Sequence, residues 1–305
     1  MLFAYTQEDM RMKKEIYDSL IIGPLSKDIM IDCHDVETRL LGGACVQSGY
    51  AASNVGARTA VFTRASADTD VYAAFAGCPA DIYWKPSAQT TSIRNKYFTE
   101  DKETRSCTLL SRSDPISFAD LPPVETRIFH FAGLVVGDFD EDIFAAASRH
   151  GRVAVDVQCL LRREEEDHSM AFHDWEKKKD LLPFIDFLKT DAAEARILTG
   201  LDDRKEAAVQ LHDWGAKEIL ITHNTEVLAY DGQAFHTCPI RARNLSGRTG
   251  RGDTTFAGYL VERLHAGIPE ALLFATALVS LKMETPGPFS GTRGDVLDYI
   301  DTFYT

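Results

Sequence analysis

Short apolar runs and segments of helical period take turns along most of the chain. Ser19-Leu20-Ile21-Ile22-Gly23 is the brief, unbroken apolar run that a strand buried on both faces needs. Apolar-polar alternation follows around 30–33. A helix of small residues runs through Val46, Tyr50, Ala51 and Val55 to Gly56-Ala57, and a strand covers 59–63. Strands at 81–84 and within 89–111, the later two joined by a polar hairpin at 99–103, break the rhythm. It then resumes as strand 127–131, helix 139–149, strand 153–157, a helix around 175–182, strand 187–189, and helices 191–199 and 202–214. Strands 218–222, 226–230 and 234–244 precede helices 252–265 and 268–284 and a short terminal helix. This alternation predicts an α/β fold, a parallel sheet covered on both faces. The interruption at 81–111, with part of 30–40, predicts a small β lid or an ordinary edge ribbon. Residues 1–17 are mixed and polar and read as an extension, leaving one domain over 18–305. The charge run 162–167 reads as solvated surface.

Composition narrows the partners. Forty-six acidic against 33 basic residues give a net charge of −13, which argues against nucleic acid or an anionic membrane. The six cysteines are scattered, without metal-finger spacing, as in a reduced protein. Neither a signal peptide nor a membrane-length apolar run is evident, so the expectation is a cytoplasmic protein. Against the acidic background, residues 232–252 contain no Asp or Glu but carry Arg241, Arg243, Arg248 and Arg251. That local basic patch suits an anionic substrate, although Arg241 and Arg243 are equally at home as solvent-facing strand residues.

The patch ends in the stretch with the most chemistry, Gly247-Arg248-Thr249-Gly250-Arg251-Gly252-Asp253-Thr254-Thr255-Phe256-Ala257-Gly258. Phe256, Tyr259, Leu260 and Leu264 recur at helical spacing, which puts Gly250, Arg251 and Gly252 on a helix's first turn. Free N–H groups and the positive end of the dipole make such a turn an anion site. Asp253 repels an anion there, and its use is to take a proton from a hydroxyl that attacks a phosphoryl group. The plainer alternative is a carboxylate that stabilises a helix N-terminus.

Three more features bear on ligand binding. Asp28 follows the first strand, where α/β proteins bind ligands, and is otherwise a turn residue. Gly42-Gly43 lets a substrate approach backbone N–H groups, or serves a plain hairpin. Ser92 and Asn95 lie in a polar run of the proposed lid.

Taken together, these residues resemble the ribokinase-like (PfkB-type) family of sugar and nucleoside kinases, from about residue 19 to the C-terminus. The stretch Gly247 through Gly258 matches the family's DTTGAGDxFxxG signature. Gly42-Gly43 through Asn54-Val55-Gly56-Ala57 matches its early one, and Asp191-Ala192-Ala193-Glu194 its NxxE element. The resemblance implies a three-layer α/β/α domain with a lid and an ATP-dependent kinase. In it Asp253 is the base, Gly250, Arg251, Gly252 and Asp253 form the anion hole, and Asp191 and Glu194 act on Mg²⁺. Thr222, Asn224 and Arg248 fall on the ATP side, with a homodimer left open.

Departures from the pattern bear on function. Gly247 replaces an Asp that often helps hold a monovalent cation, which puts a potassium requirement in doubt. Thr222-His223-Asn224 lacks the glycine of the nucleotide-side TxG motif, and Arg248 and Arg251 replace small residues. Asp156-Val157-Gln158-Cys159-Leu160-Leu161-Arg162 and Lys282-Met283 followed by Pro286-Gly287-Pro288 are similar to a myo-inositol-kinase-like subgroup. Asp156, Gln158 and Arg162 then join Asp28, Gly42, Gly43, Ser92 and Asn95 as acceptor-binding residues, or form a structural salt-bridged turn. The expected acceptor is myo-inositol or a related cyclic polyol, ahead of ribose, a ketohexose or a nucleoside. A non-catalytic sensor on the same fold stays open. A dinucleotide oxidoreductase fits poorly, because Gly23-Pro24 is not GxGxxG.

Overall fold

In the computed structural model, which describes residues 16–100 and 104–305, the apolar runs lie side by side as strands. In β1 (Tyr17–Ile22), Leu20 and Ile22 pack on one face and Ile21 on the other, all fully buried. The chain continues through β2 (Ser26–Ile31), β3 (Glu37–Gly42), α1 (Ala44–Asn54), β4 (Thr59–Ala65), α2 (Val71–Ala74), β5 (Asp81–Pro86), β6 (Thr91–Tyr97) and β7 (Arg105–Ser111). Next come β8 (Thr126–Phe131), α3 (Ile143–Ala147), β9 (Arg152–Asp156), α4 (Gln158–Leu161), β10 (Arg162–Glu164), β11 (Met170–Phe172) and α5 (Lys178–Leu181). The remainder is β12 (Phe187–Asp191), α6 (Ala192–Thr199), α7 (Arg204–Asp213), β13 (Glu218–Thr222), β14 (Glu226–Tyr230), β15 (Phe235–Pro239), α8 (Arg251–Glu262), α9 (Ile268–Met283) and α10 (Arg293–Phe303).

Among the described residues the main sheet has nine strands in the order β15-β14-β13-β12-β9-β8-β1-β4-β5. β5 through β13 run parallel, and β14 and β15 close one edge antiparallel. Helices α3, α6 and α7 cover one face, and α1, α8, α9 and α10 the other. Strand order reverses between β1 and β8, and as a general rule ligands bind in such sheets in the crevice at the carboxyl ends of the strands beside that reversal. Helix α8 is fixed beside that crevice by Phe256, Tyr259 and Leu260, each essentially inaccessible and each contributing roughly 1.5–3 kcal/mol. The Tyr259 hydroxyl donates to Glu218 at 2.5 Å, which ties α8 to β13.

A second sheet, β3-β2-β6-β7, stands apart from the first. The Leu109 N–H of β7 donates to the His168 carbonyl at 2.9 Å, which joins it to the β10–β11 hairpin.

Several expectations change. Residues 81–86 belong to the main sheet as β5, paired parallel with β4, and not to the lid. Apolar Ile82 and Trp84 pack with the residues around α1, and that packing selects the pairing. The lid draws instead on 26–42 and 91–111. The charge run at 162–167 is not wholly solvated, because Arg162 is 6% exposed. The helix expected at 139–149 contracts to Ile143–Ala147, and the strand at 234–244 ends at Pro239. Tyr17, placed in the extension, pairs within β1. Residues 1–15 of that extension and 101–103 of the hairpin lie outside the described residues.

Candidate active site

Gly250 caps α8 with φ 78°, in the left-handed region, and a Cβ there would lie 2.4 Å from Gln47 Oε1. Conformation and crowding both demand glycine. The Arg251 N–H donates to the Arg248 carbonyl at 3.2 Å. The donors left at the head of α8 are the N–H groups of Gly252 and Asp253, which helix geometry leaves without intrahelical partners.

Asp253 follows on the same turn. Burial pushes its carboxyl up to about 6, and neighbouring Asp156 pushes the same way, against Lys189, Lys282 and Arg162. A carboxylate so placed ionises just below neutrality, where a general base is most effective.

Behind the turn lies a line of charges set by strand register. Asp156 ends β9 and Lys189 lies opposite it on β12. The Lys189 ammonium donates to Asp156 Oδ2 at 2.8 Å, and both residues are buried. A Cβ on Gly252 would lie 2.9 Å from that ammonium, so Lys189 borders the turn at the head of α8. Burial alone depresses the Lys189 pKa, but the carboxylates of Asp156, Glu194 and Asp253 outweigh it and keep the side chain cationic.

Asp191 caps α6 and exchanges bonds with Glu194. The Asp191 N–H donates to Glu194 Oε2 at 2.7 Å, and the Glu194 N–H to Asp191 Oδ1 at 2.8 Å. Burial pushes Glu194 up to about 8, with Lys189 opposing and Asp191 and Asp156 adding. Each carboxylate keeps one oxygen outside this box. Among the described residues no three His, Cys, Asp or Glu side chains converge to hold an ion directly. The pair suits Mg²⁺, which keeps most of its water and leans on one or two carboxylates and substrate phosphates.

The acceptor candidates divide. Burial pushes Asp28 on β2 up to about 6, with Ser26, Arg162 and Arg105 holding it down. Arg162 donates from Nε to the Leu134 carbonyl at 2.9 Å, and its charge acts on both Asp28 and Asp253. Asp28, Arg162, Asp156 and Asp253 therefore share one electrostatic neighbourhood. Gly42 ends β3 next to Asp28 Oδ2, and Gly43 caps α1 with φ 113°. Asn95 is 9% exposed and accepts from the Cys107 thiol at 3.0 Å. Ser92 departs from expectation. It lies three residues from Asn95, on the other face of β6 by the strand's period of two, and donates to the Lys27 carbonyl at 2.8 Å. Gln158 opens α4, and its N–H donates to Asp156 Oδ1 at 3.1 Å.

On the donor side, Arg251 Nη1 donates to Asn224 Oδ1 at 2.8 Å, across the end of β13. Thr222 is buried there, its hydroxyl 3.5 Å from the Thr190 carbonyl. The basic patch splits. Arg243 pairs with Glu284 and Arg241 stacks 5.4 Å from the Tyr304 ring centre, leaving Arg248 and Arg251 at the turn.

Three residues beside the turn were given no role by the sequence. Lys189 is a buried charge inside β12, Lys282 a buried charge near the end of α9, and Gln47 lies one helical turn past Gly43. The first two were signalled by charge in an apolar run. Gln47 Oε1 is buried with no hydrogen-bond partner among the described residues.

A doubly covered sheet, an anion turn at a helix head and a carboxylate on that turn define a phosphotransferase that acts on hydroxyl groups. The chain belongs to the pfkB family of carbohydrate kinases, whose family model matches residues 18–292. It is similar to a pyrophosphate-dependent kinase of the ribokinase family solved with a pyrophosphate analogue and myo-inositol. The two are 32% identical over 92% of this chain and 99% of the other, with a TM-score of 0.83. A pyrophosphate-dependent myo-inositol-1 kinase converted into a myo-inositol-3 kinase is 31% identical over 94% of this chain and all of its own, with a TM-score of 0.83. Arabidopsis thaliana ribokinase, solved with ribose and ATP, shares the fold at 16% identity over 94% of this chain and 99% of its own, with a TM-score of 0.74. A cytidine kinase of Thermococcus kodakarensis is 38% identical over 91 residues, 28% of this chain. The match spans 33% of that kinase's length. Among the described residues no helix is long and apolar enough to cross a membrane.

Proposed function

We propose that this kinase transfers a phosphoryl group from pyrophosphate to one hydroxyl of myo-inositol or a closely related cyclic polyol. The observation that carries the transfer chemistry is Asp253, held near a pKa of about 6 on the anion turn. Asp253 orients the acceptor hydroxyl and takes its proton. The oxygen forms a bond to the nearer phosphorus while the bridging P–O bond breaks on the opposite side, and phosphate leaves. The Gly252 and Asp253 N–H groups, Arg251 and Lys189 face the charge on the transferring group. Asp28, Gln47, Asn95 and the backbone after Gly42-Gly43 receive acceptor hydroxyls, with Arg162 linking this side to Asp253. Gln158 positions Asp156 through its N–H. Asp191 and Glu194 would hold Mg²⁺ through water, which when bound neutralises donor charge. The lid sheet excludes water.

The donor departs from the ATP that the motifs imply. Asn224 stands where the resemblance has a glycine on the nucleotide side, and it is engaged by Arg251. A side chain and a guanidinium there favour a compact, highly charged donor over one with a base and ribose. The likeness to pyrophosphate-dependent kinases at 31–33% identity supports the same choice.

The test crosses pyrophosphate and ATP with myo-inositol, ribose, fructose, adenosine and cytidine, with product identified by phosphorus NMR. The expected product is an inositol monophosphate formed from pyrophosphate. Turnover with ATP alone overturns the donor, and turnover on cytidine or a sugar with none on any inositol overturns the acceptor. The 91-residue likeness to a cytidine kinase favours a second reading, an ATP-dependent nucleoside kinase, which the same matrix distinguishes.

A further inference from the structure

Lys282 lies near the end of α9, 2% exposed, in a helix whose other core-facing residues are apolar or small. Its ammonium donates to the Gly247 carbonyl at 2.6 Å and to the Thr249 carbonyl. Both acceptors belong to the turn that leads into Gly250. A turn that aims its N–H groups at an anion gathers carbonyl oxygens on its far side, and these need a positive charge. The last turn of α9 adds the negative end of its own dipole to the same place. The turn is also pressed onto the helix end. The Gly247 N–H donates to the Met283 carbonyl at 2.7 Å, and a Cβ on Gly247 would lie 2.0 Å from the Thr285 carbonyl oxygen.

We propose that the Lys282 ammonium is a built-in monovalent cation for the phosphate-binding turn, which frees the enzyme from any requirement for a dissolved one. The nitrogen occupies the space between the two carbonyls, so an alkali ion has no room to share them. Lys282 is a positioning residue. It holds the carbonyl side of the turn so that the Gly252 and Asp253 N–H groups keep their aim, and its charge also acts on Asp253. The inference rests on the 247–253 turn being the donor-phosphate site. It is independent of which acceptor or donor is used.

The test has two arms. Wild-type enzyme in a buffer whose only monovalent cation is tetramethylammonium is expected to keep its kcat, within about twofold, when potassium or ammonium is added. Lys282→Ala is expected to lose roughly 10²–10³ in kcat and to regain activity saturably with ammonium or potassium. Its melting temperature, read without any substrate, is expected to climb with ammonium while wild type stays flat. That melting arm separates failure of this inference from failure of the functional reading. Wild-type turnover that needs potassium overturns the proposal, whatever the variant does. So does a folded Lys282→Ala that keeps normal turnover, or one that no cation rescues. If Lys282→Ala does not fold, Lys282→Met takes its place and the wild-type arm still decides.

Discussion

Lys189 and Asp156 face each other across adjacent parallel strands, 2.8 Å apart and both buried, with the Lys189 ammonium against the backbone of Gly252. One ion pair thus reaches both Asp253 and the turn at the head of α8. Removing one member of a buried pair typically costs about 3–5 kcal/mol, because the other is left uncompensated. Lys189→Met is expected to destabilise by that amount and to lower kcat. Asp156→Asn added to it is expected to restore much of the stability and none of the rate. Denaturant unfolding and kinetics of the two single variants and the double variant check this, and additive stability losses would count against the pair.

Asp253→Asn should lower kcat by about two to four orders of magnitude while donor affinity changes little. The same change should raise stability. The folded-state pKa of Asp253 lies above its ordinary value, at about 6, so the stabilisation from holding the proton is present at low pH and lost as pH rises through about 6. The variant, which never ionises, should therefore exceed wild type by roughly 3 kcal/mol at pH 8 and match it near pH 4. Melting curves at both pH values check the sign.

The acid limb of kcat/KM should fall near pH 6, since Asp253 must be ionised to act. Asp156→Asn removes a negative neighbour and releases the Lys189 charge. Both effects favour ionised Asp253, so the limb should move to lower pH. A pH–rate profile in which it stays or rises would remove Asp156 as a cause of the shift.

Arg251→Ala should lower kcat with pyrophosphate by roughly 10²-fold, the scale of losing one charge-stabilising group, and raise the acceptor KM far less. An unchanged kcat would make the guanidinium only a tie to Asn224.

Asp28→Ala and Gln47→Ala should each raise the acceptor KM by about 10-fold or more, leaving donor KM within twofold, because each removes a hydrogen-bond acceptor for a hydroxyl. Ser92→Ala, on the other face of β6, should leave both constants unchanged. Steady-state kinetics with both substrates varied separates the three.

The order of strands and helices was legible because each element's period is local, 2.0 along a strand and 3.6 along a helix, and buried parallel strands need unbroken apolar runs. Gly250 and Asp253 were legible for a related reason: the glycine turn and the carboxylate after it are consecutive residues whose geometry the helix head imposes. Pairing partners were not local. Residues 81–86 read as a lid strand until β4 claimed them, and Ser92 took its face from the register of β6. Lys189, Lys282 and Gln47 are separated from the turn by 35 to 200 positions, and only folding placed them on its three sides. The sequence by itself determined the α/β class and the glycine turn with its adjoining carboxylate, because those follow from neighbouring residues. The tertiary structure alone decided which distant charges surround them, because a pKa or a cation site is a sum over space, and contacts between distant segments leave no periodic trace in one chain.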